Sequence, residues 1–280
     1  MSKPQAGTPE DIKQKTAAAY NAASDTYDDE ANSFWSRFGR RTVDRIGLKE
    51  GDQVLDVCCG SGASAIPAAQ AVGDRGVLVG VDLAENLLDL ATAKAKQNGL
   101  TNVEFRQGDL LQLDLEHESF DAVICVFGIF FIPDMEAAMR ALWRLVKANG
   151  KLAITTWGAR FFEPANTAFW SSIQTVRPDL YKSFNPWDRI SEPNALESLF
   201  VRAGILTGKI VAEAGTHPVP DPEVWWSMVL GSGYRGTVQQ LNEHDYQTVR
   251  LYNLDFIQQA GVRAVEANVL YAIAEKTEIP

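Results

Sequence analysis

A chain of 280 residues with 46% hydrophobic content is long enough for one large or two small domains around a sizeable core. Its 36 acidic residues against 26 basic ones leave a formal charge of -10, and no basic stripe is visible, which argues against a protein made to grip phosphate backbones. Cys58, Cys59 and Cys125 lie in or beside apolar strands rather than in a disulfide framework, the longest apolar run (122–132) falls short of the ~20 residues of a membrane span, and the N-terminus carries no apolar leader, so a soluble cytosolic protein is expected.

In chain order, residues 1–10 read as a loose tail. Residues 11–30 have helical spacing and carry Tyr20 and Tyr27 on one face, and 33–46 form a second, amphipathic helix. Gly51-Asp52 turns the chain into a short buried strand, 54–57. The glycine turn Cys58-Cys59-Gly60-Ser61-Gly62 follows and leads into an alanine-rich helix, 63–72. A regular alternation comes next: strand 77–82, helix 85–97, strand 103–107, strand 122–127, helix 135–147 and strand 151–157. Gly73, Gly99, Asn149 and Gly150 stand where helices should stop. Strands alternating with helices predict an α/β protein with a mostly parallel sheet covered on both faces. Beyond Trp157, residues 161–187 are aromatic and proline-interrupted without a clean period. Residues 195–203 resume as helix and 209–214 as strand. A helical insertion at 218–253 holds Trp225, Trp226 and Tyr234, and 268–274 closes the chain as a seventh strand.

Gly60-Ser61-Gly62-Ala63-Ser64-Ala65 fits a dinucleotide-binding loop, and Asp82 follows about 20 residues on, where a ribose-binding acid belongs. A NAD-dependent dehydrogenase is therefore a competing reading. Two acids speak against it. Asp56 lies inside the first strand, where a pyrophosphate site has no use for negative charge but an aminoacyl ligand with an ammonium and a sulfonium does. Asp109 ends the third strand, placed to receive an exocyclic adenine amine.

From about Tyr20 to Trp157 the sequence resembles the class I S-adenosylmethionine-dependent methyltransferases, most of all the ubiquinone/menaquinone C-methyltransferase branch of small-molecule enzymes. The resemblance is carried, in order, by Tyr20, Tyr27-Asp28, Leu55-Asp56 with its glycine loop, Gly80-Val81-Asp82, Gly108-Asp109, Phe120-Asp121, Phe127-Gly128, Pro133-Asp134, Leu145-Val146-Lys147 and Gly150-Lys151-Leu152. Cys58 departs from it, standing where most members have the first glycine of the loop.

The resemblance implies a Rossmann-like seven-stranded sheet. The chain is read as an N-terminal helical lid (1–47), a cofactor core (48–158), a lid insertion (159–191) and the rest of the core (192–280). The resemblance carries the cofactor assignment. It implies S-adenosyl-L-methionine as cofactor and S-adenosyl-L-homocysteine as product. Asp56, Cys58, Gly60 and Gly62 would hold the methionine part, with Tyr27 reaching its carboxylate. Asp82 would take the ribose hydroxyls, Leu83 the adenine face, Asp109 and Leu110 the adenine edge, and Phe127 would stand close to the methyl.

The acceptor is expected to be a small apolar or aromatic molecule under an aromatic cover. Tyr20 and Trp35 would come from the N-terminal helices. Phe130, Trp157, Phe161, Trp170 and Trp187 would come from the middle of the chain, and Trp225, Trp226 and Tyr234 from the insertion, with Arg235 to orient an acidic acceptor. For an oxygen acceptor, His217 and Tyr234 are candidate bases on position alone.

Each residue also has a plainer reading. Asp56 fits a salt-bridged strand residue, Asp82 and Asp109 fit helix N-caps, the tyrosines fit core packing and the cysteines fit buried small hydrophobes. The thiols suggest arsenic methylation only if exposed. His117, His217 and His244 show no metal-ligand spacing, so no metal is expected. A cofactor-binding scaffold without transferase activity would look the same in sequence. A nucleic-acid methyltransferase is disfavoured by the charge and by Phe127-Gly128-Ile129-Phe130, which stands where an Asn/Asp-Pro-Pro-Tyr motif would fall. Monomer and homodimer stay open.

Overall fold

The computed structural model describes residues 8–277. Helix α1 (Pro9–Ala23) opens with a capping box. The Asp11 amide donates to the Thr8 hydroxyl at 3.1 Å and the Thr8 amide to the Asp11 carboxylate at 2.8 Å, satisfying two orphan donors. Residues 8–10 thus belong to the helix and its cap rather than to a tail, whose residues 1–7 lie outside those described. The helix also stops before Glu30. Ser24 and Thr26 turn their hydroxyls onto the Asn21 and Ala23 carbonyls, an alternative to continued helix. Tyr27 consequently sits in a turn, not on one helix face with Tyr20, and a 3-10 turn at Glu30–Asn32 follows.

Helix α2 (Phe34–Ile46) buries Phe34, Trp35, Phe38, Val43 and Ile46 and ends at Gly47, whose φ of 66° suits a residue without Cβ. The alternating part runs β1 (Gln53–Val57), α3 (Ala65–Val72), β2 (Val77–Asp82), α4 (Glu85–Gln97), β3 (Val103–Gln107), β4 (Phe120–Val126), α5 (Met135–Leu145) and β5 (Val146–Trp157). It continues through α6 (Ala165–Val176), α7 (Pro193–Arg202), β6 (Lys209–Glu213), β7 (Thr216–Pro218), α8 (Pro222–Leu230), α9 (Arg235–Val238), α10 (Glu243–Gln259), β8 (Ala264–Glu266) and β9 (Val269–Glu275).

Seven strands form one sheet in the order β3-β2-β1-β4-β5-β9-β6, with β9 antiparallel to both its neighbours. Side chains alternate across it and bury two cores. Val54, Leu78, Ile124 and Ala153 pack with the alanines of α3, while Leu55, Val57, Val123 and Ile154 face α5 and a large aromatic cluster. Chain order reverses between β1 and β4, where Val57 pairs with Cys125. That switch point leaves a crevice at the carboxyl ends of the strands.

Helix α6 and the strand pair β7–β8 went unforeseen. Helix α6 lies inside the aromatic 161–187 stretch, where Ala165, Ala168, Phe169, Trp170, Ser172 and Ile173 are all buried, so no polar face marks a period. Strands β7 and β8 pair as a three-residue ribbon flanking the helical insertion, too short for a strand pattern to register. Among the described residues no helix is long and apolar enough to cross a membrane.

Candidate active site

The loop after β1 needs left-handed backbone at three places. Cys58 has φ 56°, Gly60 52° and Gly62 85°. The Cys58 position is where a glycine would cost nothing, and its cysteine is accommodated from the next strand. A Cβ on Gly128 would come 2.3 Å from the Cys58 Cβ, so Gly128 is bare because Cys58 is not. Phe127, beside it at the end of β4, is also left-handed at φ 55°. Two non-glycine residues in this sparsely populated region at neighbouring strand ends are a local strain of the kind that clusters at ligand sites. The hydrogen bond with Cys125, together with burial, pushes the Cys58 thiol well up, so it is not a thiolate.

Asp82, at the end of β2, spans the loop. One carboxylate oxygen receives the Gly60 amide and the other the Ala84 amide, both at 2.8 Å. Burial pushes its pKa up against the pull of these donors. Each oxygen keeps a lone pair for a further donor. Tyr27 closes the crevice from above. A Cβ on Gly60 would lie 3.3 Å from the Tyr27 hydroxyl. Its ring stacks on Trp35 at 5.2 Å, and Trp35 meets Phe127 edge-on at 5.6 Å. Tyr20 stands edge-on to Tyr27 at 6.1 Å and to Phe131 at 5.6 Å.

These groups line a concave cavity that is partly open to solvent. Tyr20, Tyr27, Trp35, Cys58, Gly60, Asp82, Leu83 and Phe127 were expected there from the sequence. Thr16 and Ala17 of α1, Ala84 and Leu87 at the start of α4, Val126, Gly128, Phe131 and Ile132 were not. Thr16, Ala17 and Tyr20 share one helical stripe, and that spacing was the available signal.

Other expected residues lie elsewhere. Asp56 is fully buried beneath the loop; its Oδ2 accepts from the Ser64 hydroxyl at 2.7 Å and its Oδ1 has no partner. Burial raises its carboxyl to about 7. Gly62 faces Ile66 and Ala91. Asp109 caps the 3-10 turn Leu110–Gln112 through the Leu111 amide and takes Lys13 of α1 at 3.3 Å, and Leu110 is buried in the core.

The expected aromatic cover is mostly a core behind the cavity wall. Trp157 stacks on the rear of Phe127 at 4.1 Å, Phe161 packs on Trp157 at 4.7 Å, and Trp187 lies between Phe161 and Phe130. Trp225 donates to Asn253, Trp226 to Tyr246 and the Tyr234 hydroxyl to Asn166, all buried off the cavity. Trp170 packs on Tyr234 at 6.0 Å. Trp225, Trp226 and Tyr234 thus spend their polar atoms on neighbouring helices rather than on a ligand, while the indole nitrogens of Trp170 and Trp187 are buried without a partner. Arg235 pairs with Asp25 at 2.9 Å. His217 is 3% exposed, its Nε2 2.9 Å from the Ala31 carbonyl, and burial lowers its basicity. Neither His217 nor Tyr234 lines the cavity. Among the described residues no cluster of three or more His, Cys, Asp or Glu is placed to hold a metal ion.

A model of the ubiE/COQ5 methyltransferase family matches residues 6–185. The chain belongs to that family. As a member it is a methyltransferase dependent on S-adenosylmethionine and acting on small molecules, and the dehydrogenase reading finds no support. The chain is 30% identical over 177 residues to the demethylmenaquinone methyltransferase of Lactococcus lactis subsp. lactis (strain IL1403), covering 59% of this chain and 70% of that one. It is 32% identical over 144 residues to the aklanonic acid methyltransferase DauC of Streptomyces sp. (strain C5), covering 51% of this chain and 66% of that one.

Among solved structures, the [4+2]-cyclase SpnF superposes with a TM-score of 0.60 at 16% identity, over 98% of each chain. A phosphoethanolamine N-methyltransferase 2 of Haemonchus contortus, solved with S-adenosylhomocysteine, gives 0.59 at 17%, over 99% of this chain and 62% of that one. At those identities the likeness concerns the fold alone. The ubiE/COQ5 fold is thus a seven-stranded, mostly parallel Rossmann-like sheet flanked by helices.

Proposed function

We propose that this ubiE/COQ5 enzyme methylates a flat, electron-rich aromatic molecule in the cavity between Tyr27, Asp82 and Phe127. The observation that carries the reading is the character of the lining. The rings of Tyr20, Tyr27, Trp35 and Phe127 meet over a glycine loop, and among the described lining residues Asp82 is the one charged side chain.

The cavity fits the family's cofactor. The bare Gly60 leaves room under the Tyr27 hydroxyl, and Asp82 keeps accepting capacity on both oxygens. Asp82 would hold the ribose hydroxyls, Leu83 and Leu87 the adenine, and the loop amides with Tyr27 the methionine end. S-adenosylmethionine supplies a methyl group on a sulfonium whose leaving thioether needs no protonation. What remains for the chain is positioning, worth up to ~7–11 kcal/mol when reactants are well aligned. Trp35 and Phe127 would set the plane of the acceptor and keep water from the reacting atoms.

No lining side chain is suited to take a proton. Burial keeps both tyrosines neutral, and the remaining accepting capacity of Asp82 would go to the ribose hydroxyls of the cofactor. The acceptor therefore arrives already ionised, as a phenolate oxygen or as the ring carbon of a reduced quinone that has lost a hydroxyl proton, so that methyl transfer from the sulfonium gives a neutral product. The relatives' names, demethylmenaquinone and aklanonic acid methyltransferase, suit such acceptors.

The test is transfer of labelled methyl from S-adenosylmethionine to a panel of reduced naphthoquinones, aklanonic acid, phenols and aliphatic amines. Label should enter the aromatic acceptors alone, with a rate that follows the acceptor's own ionisation. Label entering aliphatic amines alone would overturn the reading.

A further inference from the structure

Asp28, Ser61 and Lys94 come from three separate segments and meet in one polar triangle. The Asp28 Oδ1 atom accepts from the Ser61 hydroxyl at 2.7 Å and from Lys94 Nζ at 2.7 Å, and Lys94 Nζ lies 2.9 Å from Ser61 Oγ. Each corner adjoins a different wall of the cavity. Asp28 follows Tyr27, Ser61 follows Gly60, and Lys94 stands two helical turns along α4 from Leu87, on the same face. Ser61 is 1% exposed, so Asp28 and Lys94 supply the partners that its hydroxyl lacks from water.

We propose that Lys94 is a positioning residue for the cofactor. Through Asp28 and Ser61 it fixes the spacing between the glycine loop and the Tyr27 phenol, without itself lining the cavity. The inference rests on the reading that the cofactor lies over that loop. A loop with two left-handed glycines has little stiffness of its own, and its serine is held by charge-assisted bonds, the stronger kind. The ammonium and carboxylate side chains are 32% and 35% exposed. As an ion pair they add little to stability, so loss of Lys94 shows in ligand geometry rather than in melting temperature.

Calorimetric titration of S-adenosylhomocysteine into the full chain tests this, together with thermal melts of each variant. Lys94→Met should weaken binding about fivefold to tenfold with the melting temperature held within a few degrees, and Lys94→Arg, which donates to both oxygens, should restore it. Ser61→Ala reports on the same link should Lys94→Met fail to fold, and the double variant should be no worse than either single one. Wild-type affinity in both Lys94→Met and Ser61→Ala would overturn the inference, as would Lys94→Arg failing to restore binding. Failure of the wild type to bind S-adenosylhomocysteine is a different result: it overturns the placement of the cofactor and the inference with it.

Discussion

Asp82 and Asp56 do different work although both are acids at the carboxyl edge of the sheet. Asp82 faces the cavity with a carboxylate oriented by two amides. Replacing it with alanine should weaken S-adenosylhomocysteine binding by about 1.5–3 kcal/mol, the range for a hydrogen bond to a charged group. An unchanged dissociation constant in a folded variant would reduce it to a loop brace. Asp56 is buried with one oxygen unpartnered, and its carboxyl is raised to about 7, against ~3.9 in an unfolded chain. Across that window the folded protein holds a proton the unfolded chain has released. Its contribution to stability is therefore full below about pH 4 and is lost as pH rises through 7. Urea unfolding at about pH 5 and about pH 8 should show a smaller loss in Asp56→Asn than in the wild type, and parallel profiles would contradict this. Tyr234, by contrast, spends its hydroxyl on Asn166 in a packed core. Tyr234→Phe should keep methyl transfer within about twofold while lowering stability by ~1 kcal/mol. A large loss of turnover at unchanged stability would return it to the reaction.

At the scale of elements, α1 is a wall of the cavity that buries few of its own side chains. Its described side chains are mostly exposed or half-buried, and Lys13 on Asp109 and Asn21 on Asn86 tie it to the sheet edge and to α4. Amide exchange in residues 9–23 should be faster than in β1, β4 and β5 and should slow on adding S-adenosylhomocysteine. Equal protection with and without ligand would make α1 a fixed wall. The strand-and-helix alternation from Gln53 to Trp157 was legible because buried parallel strands read as short apolar runs closed by glycine turns. The helix at Ala165–Val176 was not legible, because burial on nearly every side erases the period that a half-exposed helix shows. The break after Ala23 was missed for a different reason: two hydroxyls, not a glycine or proline, end that helix.

For the whole molecule, the proposed cofactor side of the site was more legible than the proposed acceptor side. Gly60 and Asp82 are fixed by backbone geometry that their spacing already states. The aromatic residues carry no such mark. Tryptophans at 157, 187, 225 and 226 look alike in sequence whether they face a ligand or a neighbouring helix, and only Trp35 of the seven lines the cavity. Trp157, Trp187 and Trp225 instead join one aromatic cluster behind Phe127, while Trp226 packs on Tyr246 apart from it. Trp157, 1% exposed, is the keystone of that cluster, and Trp157→Ala should cost about 3–5 kcal/mol in denaturant titrations. A structure of the enzyme with S-adenosylhomocysteine bound tests the account most directly. It should show the ribose hydroxyls on the Asp82 carboxylate, the methionine end at Gly60 beneath Tyr27, and the sulfur facing Trp35 and Phe127. A cofactor that leaves Asp82 untouched, or whose sulfur faces away from those two rings, would contradict it.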